Sequence, residues 1–280
     1  MSLLRIGSAL VCAASLSACA WSRPAQTGNL STVGTPYTTA LSYTDRGSEN
    51  AGRQFPLYQS FLPASRSLLA GRTLAVAEVS DIALRDKEVV LTFDDGPMPG
   101  KTPKILKALD DAGVGATFLM VGQMARAYPE IARQVAAEGH TVGTHTERHA
   151  NLRTMSTESA LAEIRRGEAS ITAALGEKPA PFFRFPYLAD TKALRARLAG
   201  QGVVAIDVDI DSKDYFKDGP SRVMSRTLAS IEKKGKGVIL FHDIQARTVA
   251  MLPGFLKELE RRGYKVVDLK PARDMLLASR

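Results

Sequence analysis

Asp94 and Asp95 stand side by side in Thr92-Phe93-Asp94-Asp95-Gly96-Pro97, where the apolar run Val89-Val90-Leu91 ends. Adjacent carboxylates repel, so a fold gains nothing by pairing them. A metal ion or a proton-transfer task accounts for the pair. About fifty residues on, His145-Thr146-Glu147-Arg148-His149 offers two imidazoles at i and i+4. The chain has four histidines, and a third, His242, closes another apolar run. One carboxylate and two imidazoles with a free position form the pattern of a catalytic zinc site, which lowers the pKa of a bound water to about 7. Asp95, His145 and His149 fit as the ligands. Asp94 fits as the base that takes the proton from that water. The planar fork of Arg184 suits a carboxylate and would fix the Asp94 rotamer. His242 can protonate a leaving amine if it is held as imidazolium, and Asp214 is the partner that would raise its pKa. Taken singly, each group has a plainer reading: a turn, a solvated helix face, a strand-end histidine, a surface ion pair. It is their coincidence that argues for a site. His140 precedes a strand, matches no ligand position and reads as structural; Trp21 lies in a linker.

The elements that must position these groups follow from hydrophobic period. Apolar runs at 89–93, 116–121, 141–143, 181–185, 203–208, 237–241 and 265–269 read as strands. Amphipathic stretches at 102–112, 129–138, 156–175, 191–199, 220–234 and 249–262 read as helices, with Gly200, Gly235 and Gly263 where they should stop. Strands alternating with helices imply a parallel sheet, and this many units suggest a closed or nearly closed α/β barrel. In such barrels the chemistry sits at the C-terminal ends of the strands, where every polar motif here falls.

Five strand-end segments, in order over roughly residues 88–270, resemble the polysaccharide deacetylase family, the NodB-homology or carbohydrate esterase 4 group. The resemblance implies a distorted (β/α)7 TIM-like barrel. Thr92-Phe93-Asp94-Asp95-Gly96 looks like the first motif, with Asp94 as base and Asp95 on the metal. His145 and His149 match the second, both as ligands. Arg184-Phe185-Pro186-Tyr187 matches the third, where Arg184 steadies Asp94 and the Tyr187 backbone N–H helps hold the oxyanion. Asp211-Ser212-Lys213-Asp214-Tyr215 is similar to the fourth. Leu240-Phe241-His242 is similar to the fifth, with Leu240 lining the acetyl pocket and His242 as general acid. The expected metal is Zn2+ or another divalent transition metal such as Co2+. Two departures touch the substrate wall: Tyr215 stands where the family usually carries Trp, and Val208 at another Trp-like position. Asp207 and Asp209, in the same strand, have no assigned role.

The first eighteen residues carry one charge, Arg5, before an apolar run too short to span a bilayer, and read as a secretory signal. Leu16-Ser17-Ala18-Cys19 resembles a bacterial lipobox, which makes Cys19 the lipidated residue; an ordinary signal peptide is the other reading. The expected organisation is a signal at 1–18, a tethered irregular arm at 19–72 and the catalytic domain at 73–280. The protein would then be exported and lipid-anchored in the envelope, or otherwise secreted. The formal charge of +8 suits an anionic envelope polymer or headgroups. Lys and Arg are scattered without an aromatic-interleaved stripe, which excludes a nucleic-acid partner. The expected activity is removal of N-acetyl groups from N-acetylhexosamine units of an envelope or extracellular polysaccharide. An O-acetyl esterase using the same site, and a degenerate glycan-binding domain, are the alternatives.

Overall fold

A computed structural model describes residues 67–272 and residue 274. Cys19 and the arm at 19–66 lie outside the described residues. Among the described residues nine strands form one parallel sheet: β1 (Ala70–Val76), β2 (Glu88–Asp94), β3 (Thr117–Met120), β4 (Thr141–Thr144), β5 (Phe182–Phe183), β6 (Val204–Ala205), β7 (Ile210–Asp211), β8 (Gly237–His242) and β9 (Lys265–Pro271). Seven of them run β6-β5-β4-β3-β2-β8-β7 as a curled barrel wall. No ladder joins β6 to β7, so the barrel is open at that seam. β9 pairs the first residues of β2 and carries β1 on its far side, outside the seven.

Among the described residues seven α-helices cover the wall: α1 (Thr102–Asp111), α2 (Gly122–Ala127), α3 (Pro129–Ala137), α4 (Thr157–Leu175), α5 (Lys192–Ala199), α6 (Pro220–Lys234) and α7 (Ala246–Arg261). Their ends follow local chemistry. The Ser156 hydroxyl accepts the Ser159 N–H at 3.2 Å and opens α4, which stops at Gly176 with φ 82°. Every strand read from the sequence is present. β1, β7 and α2 are additional, and β1 straddles the boundary expected at 72/73.

The two-residue period of the strands sorts the side chains. On β2, Val89, Leu91 and Phe93 turn outward into the core shared with the helices, where Phe93 stacks on Phe118 and Phe241 at 5.1 and 5.8 Å. Each such fully buried side chain contributes about 1.5–3 kcal/mol. Val90 turns inward with Leu119, Phe182, Val204 and Val238. The same alternation places Thr92 and Asp94 inside, and on β8 it places Leu240 and His242 inside. Register pairs Asp94 with His242 at the C-terminal rim. Among the described residues no helix is long and apolar enough to cross a membrane.

Candidate active site

One cavity of about 380 Å³ opens at that rim, lined by Asp94, Asp95, His145, His149, Phe185, Tyr187, Leu188, Asp211, Tyr215, Leu240 and His242. Asp94 is 2% exposed and accepts a 2.7 Å hydrogen bond from Arg184, itself 1% exposed. The same guanidinium donates to the Thr92 hydroxyl at 2.7 Å and to the carbonyls of Ile206 and Asp207 at 3.1 and 3.4 Å. Its charge is therefore paired and four of its five N–H donors are bonded, the condition under which a buried ion pair is tolerated. The Arg also ties the chain beyond β6 to the end of β2.

Asp95 follows with φ 79°. Its Oδ1 lies 3.3 Å from Nε2 of His149 and 3.6 Å from Nε2 of His145. That oxygen is buried and has no hydrogen-bond donor. The ligand atoms of the three residues lie within 4.8 Å of one another. Nδ1 of His145 sits 2.7 Å from the Arg184 carbonyl oxygen. A carbonyl only accepts, so Nδ1 carries a proton, which leaves Nε2 as the atom that faces Asp95. Burial, then the charge of His145, holds His149 below the usual imidazole range. Two imidazoles and an orphaned carboxylate oxygen are a donor set that a divalent transition metal fits.

On the opposite wall, Asp214 is fully buried and its carboxylate takes three donors. Nδ1 of His242 donates to Oδ1 at 2.6 Å, while the His242 N–H and the Thr248 hydroxyl donate to Oδ2 at 2.8 and 2.5 Å. Burial alone would lower the His242 pKa, but the Asp214 bond and charge, with those of Asp94 and Asp95, lift it to about 9. Nε2 is left for the cavity that His242 lines.

The loops that carry these groups are strained. Asp95, Thr146, His149, Tyr187, Leu188 and Lys213 account for six of the seven non-glycine residues with positive φ among the described residues. Such strain costs of order 1–3 kcal/mol per residue and concentrates at functional sites.

All the residues expected to act in catalysis, metal binding or substrate contact come together here except Cys19, which lies outside the described residues. Sequence reading missed the supports. Asp243 is buried behind Gly96, with its Oδ2 on the Thr102 hydroxyl at 2.6 Å; burial pushes its carboxyl up to about 7 against that bond. Glu163, buried on α4, accepts the Arg148 N–H at 2.8 Å. Asp209 accepts the Val238 N–H at 2.8 Å and so ties the start of β8, while Asp207 pairs with Arg195. His140 lies at the far end of β4 against Phe118, where burial, then the Lys270 charge, lowers its pKa to about 4.

Comparison with known proteins decides the lineage. The polysaccharide deacetylase family profile matches residues 81–206. A chitooligosaccharide deacetylase of Bradyrhizobium sp. (strain ANU 289) is 30% identical over 194 residues, covering 64% of this chain and 88% of that protein. The chain belongs to the polysaccharide deacetylase family. A peptidoglycan-N-acetylglucosamine deacetylase of Bacillus cereus is also 30% identical, over 192 residues, which is 67% of this chain and 88% of that one. Among solved structures, a peptidoglycan deacetylase of Bdellovibrio bacteriovorus superposes with a TM-score of 0.64 at 37% identity. The match covers 74% of this chain and 57% of that chain. This polysaccharide deacetylase is an enzyme of polysaccharide N-deacetylation.

Proposed function

We propose that the deacetylase hydrolyses the N-acetyl group of N-acetylhexosamine units in a cell-envelope or extracellular glycan, with Asp94 as general base and His242 as general acid. The observation that carries this reading is a single cavity holding the orphaned Asp95–His145–His149 donor set between an Asp94–Arg184 pair and a His242–Asp214 pair. A divalent metal, zinc by preference, held by those three residues would supply an activated water and positive charge at the attacked carbonyl. Arg184 holds Asp94 in one rotamer, with one oxygen bonded and Oδ2 toward the cavity. Asp94 accepts a proton from the attacking water. The Tyr187 backbone N–H is the residue-borne donor for the developing oxyanion. His242 delivers the proton from Nε2 to the departing amine, while Asp214 stabilises the imidazolium it starts from. Leu240 and Tyr215 wall the space for the acetyl group and the sugar.

The test is acetate release from a panel of N- and O-acetylated glycans, with and without chelator. Chelator-sensitive release from amide-linked substrates supports the reading. Preferential release from esters would replace it with an O-acetyl esterase, and glycan binding without turnover with a degenerate domain.

We infer that the chain is exported and anchored through lipid on Cys19, on the strength of Leu16-Ser17-Ala18-Cys19 behind an apolar run. Cys19→Ser should abolish lipid labelling and move the protein from membrane to soluble fractions. Unchanged fractionation would sink the anchor.

A further inference from the structure

Six large hydrophobic side chains are exposed among the described residues: Leu68, Val79, Tyr187, Leu188, Tyr215 and Phe216. Four of the six gather at the mouth of the catalytic cavity. Tyr187, Leu188 and Tyr215 line it. Phe216 does not; it stands just outside, edge-on to Tyr215 at 4.9 Å, with 49% of its surface in solvent. Apolar surface left in water next to a ligand cavity marks contact with a partner, because burying it gains free energy and exposing it gains none.

The ring sits on a braced loop. The Phe216 N–H donates to the Lys213 carbonyl at 3.1 Å. Arg226 holds that turn from below, donating to the Ser212 carbonyl at 3.0 and 2.9 Å and to the Lys213 carbonyl at 2.9 Å. Asp211 accepts the Tyr215 hydroxyl at 2.8 Å and the Lys213 N–H at 2.9 Å, which fixes the neighbouring ring. The Lys213 ammonium lies 6.0 Å from the Phe216 ring centre, a donor placed beside the platform. A flat apolar ring on a fixed loop, with a donor alongside, matches a pyranose: its C–H face can lie on the ring and its hydroxyls or acetamide oxygen can take the donor.

A polymer whose reacting sugar sits in this cavity leaves it across the rim, and the loop of Tyr215 and Phe216 forms part of that rim. We propose that Phe216 forms an outer subsite that stacks on the sugar adjoining the one being deacetylated, making the enzyme selective for longer chains. The proposal rests on the N-deacetylase reading and adds to it one residue that reads the length of the bound chain.

Acetate release from N-acetylglucosamine oligomers of two to six units tests it in the metal-loaded enzyme. The hexamer-to-dimer ratio of kcat/KM should exceed one, and Phe216→Ala should cut that ratio by about two- to tenfold, the range for one aromatic stacking contact. Phe216→Trp should restore it. A ratio unchanged by Phe216→Ala overturns the subsite. Calorimetric binding of the same oligomers to Asp94→Asn reads the subsite without turnover: Phe216→Ala in that background should weaken hexamer binding by the same factor and dimer binding less. Equal weakening, or none, again overturns it. Absence of amide turnover alongside intact length-dependent binding would overturn the deacetylase reading and leave the subsite standing.

Discussion

In the proposed mechanism His242 enters the reaction as imidazolium, and its surroundings decide up to what pH it can. A raised pKa keeps the protonated, active form at higher pH, so activity is lost as pH rises through the folded value. That value lies above the ordinary 6.5 and reaches about 9 before any metal charge is counted. A bound cation repels the imidazolium and draws the value back down. The alkaline limb of kcat/KM should therefore fall between those two numbers. Asp214→Asn removes the carboxylate that opposes desolvation and should move the limb toward lower pH; His242→Ala should abolish it, with a greater loss on an amide than on an ester. A limb in the same place in Asp214→Asn would break the proposed coupling. Asp94→Asn keeps the side chain's shape but accepts a proton poorly. It should lose about two to four orders of magnitude in rate while retaining metal measured by atomic absorption.

The histidine loop depends on the helix that follows it in sequence. α4 buries one stripe, Ala160, Glu163, Ile164, Gly167, Ile171 and Ala174. Two members of that stripe are wrong for a core, a carboxylate and a glycine, and both meet the loop. Glu163 takes the Arg148 N–H, and Gly167 lets the backbone approach, since a Cβ there would stand 2.5 Å from the Thr146 carbonyl carbon and 2.9 Å from the Glu147 nitrogen. The start of α2 holds the other side: the Gly122 and Gln123 N–H groups donate to the Thr146 and Glu147 carbonyls at 2.9 and 3.0 Å. Gly167→Ala sets two effects against each other. Helix propensity favours Ala by about 1 kcal/mol. Overpacking against backbone that cannot retreat costs about 1–3 kcal/mol and pushes on a loop already at positive φ. The second should win, giving a less stable protein by denaturant unfolding and about 10–100-fold weaker zinc binding by competition titration, as for other supports of metal ligands. A more stable variant with normal affinity would refute this seating. Nothing in sequence period points to it. The motifs were legible because polar residues interrupt apolar runs at strand ends; Glu163 and Gly167 lie within a helical stripe whose partner only tertiary packing defines. β7 escaped because its one apolar residue, Ile210, stands between Asp209 and Asp211 just after the run at 203–208, and β1 because Ala-Gly-Arg-Thr-Leu-Ala-Val is half exposed and resembles the linker before it.

At the scale of the whole molecule, the core and the site are separate investments of free energy. The outer core joins β2, β3 and β8 to the helices, and the inner core fills the barrel below the rim. Neither contains Asp95, His145 or His149. A metal bound at the rim therefore adds to stability by mass action without creating the fold, unlike a structural zinc site. With zinc at a hundred times its Kd the gain is about 2.7 kcal/mol. For a domain of this size, 1 kcal/mol shifts Tm by about 2–4 °C, so chelation should lower Tm by about 5–11 °C. Far-UV circular dichroism at 25 °C should not change. Activity should vanish and return with zinc. The double variant His145→Ala/His149→Ala should melt at the chelated temperature whether or not zinc is added, which separates loss of ligands from a general loosening of the loop. Unfolding at 25 °C on chelation would mean that the metal holds the barrel together. Full zinc retention by the double variant would place the metal elsewhere.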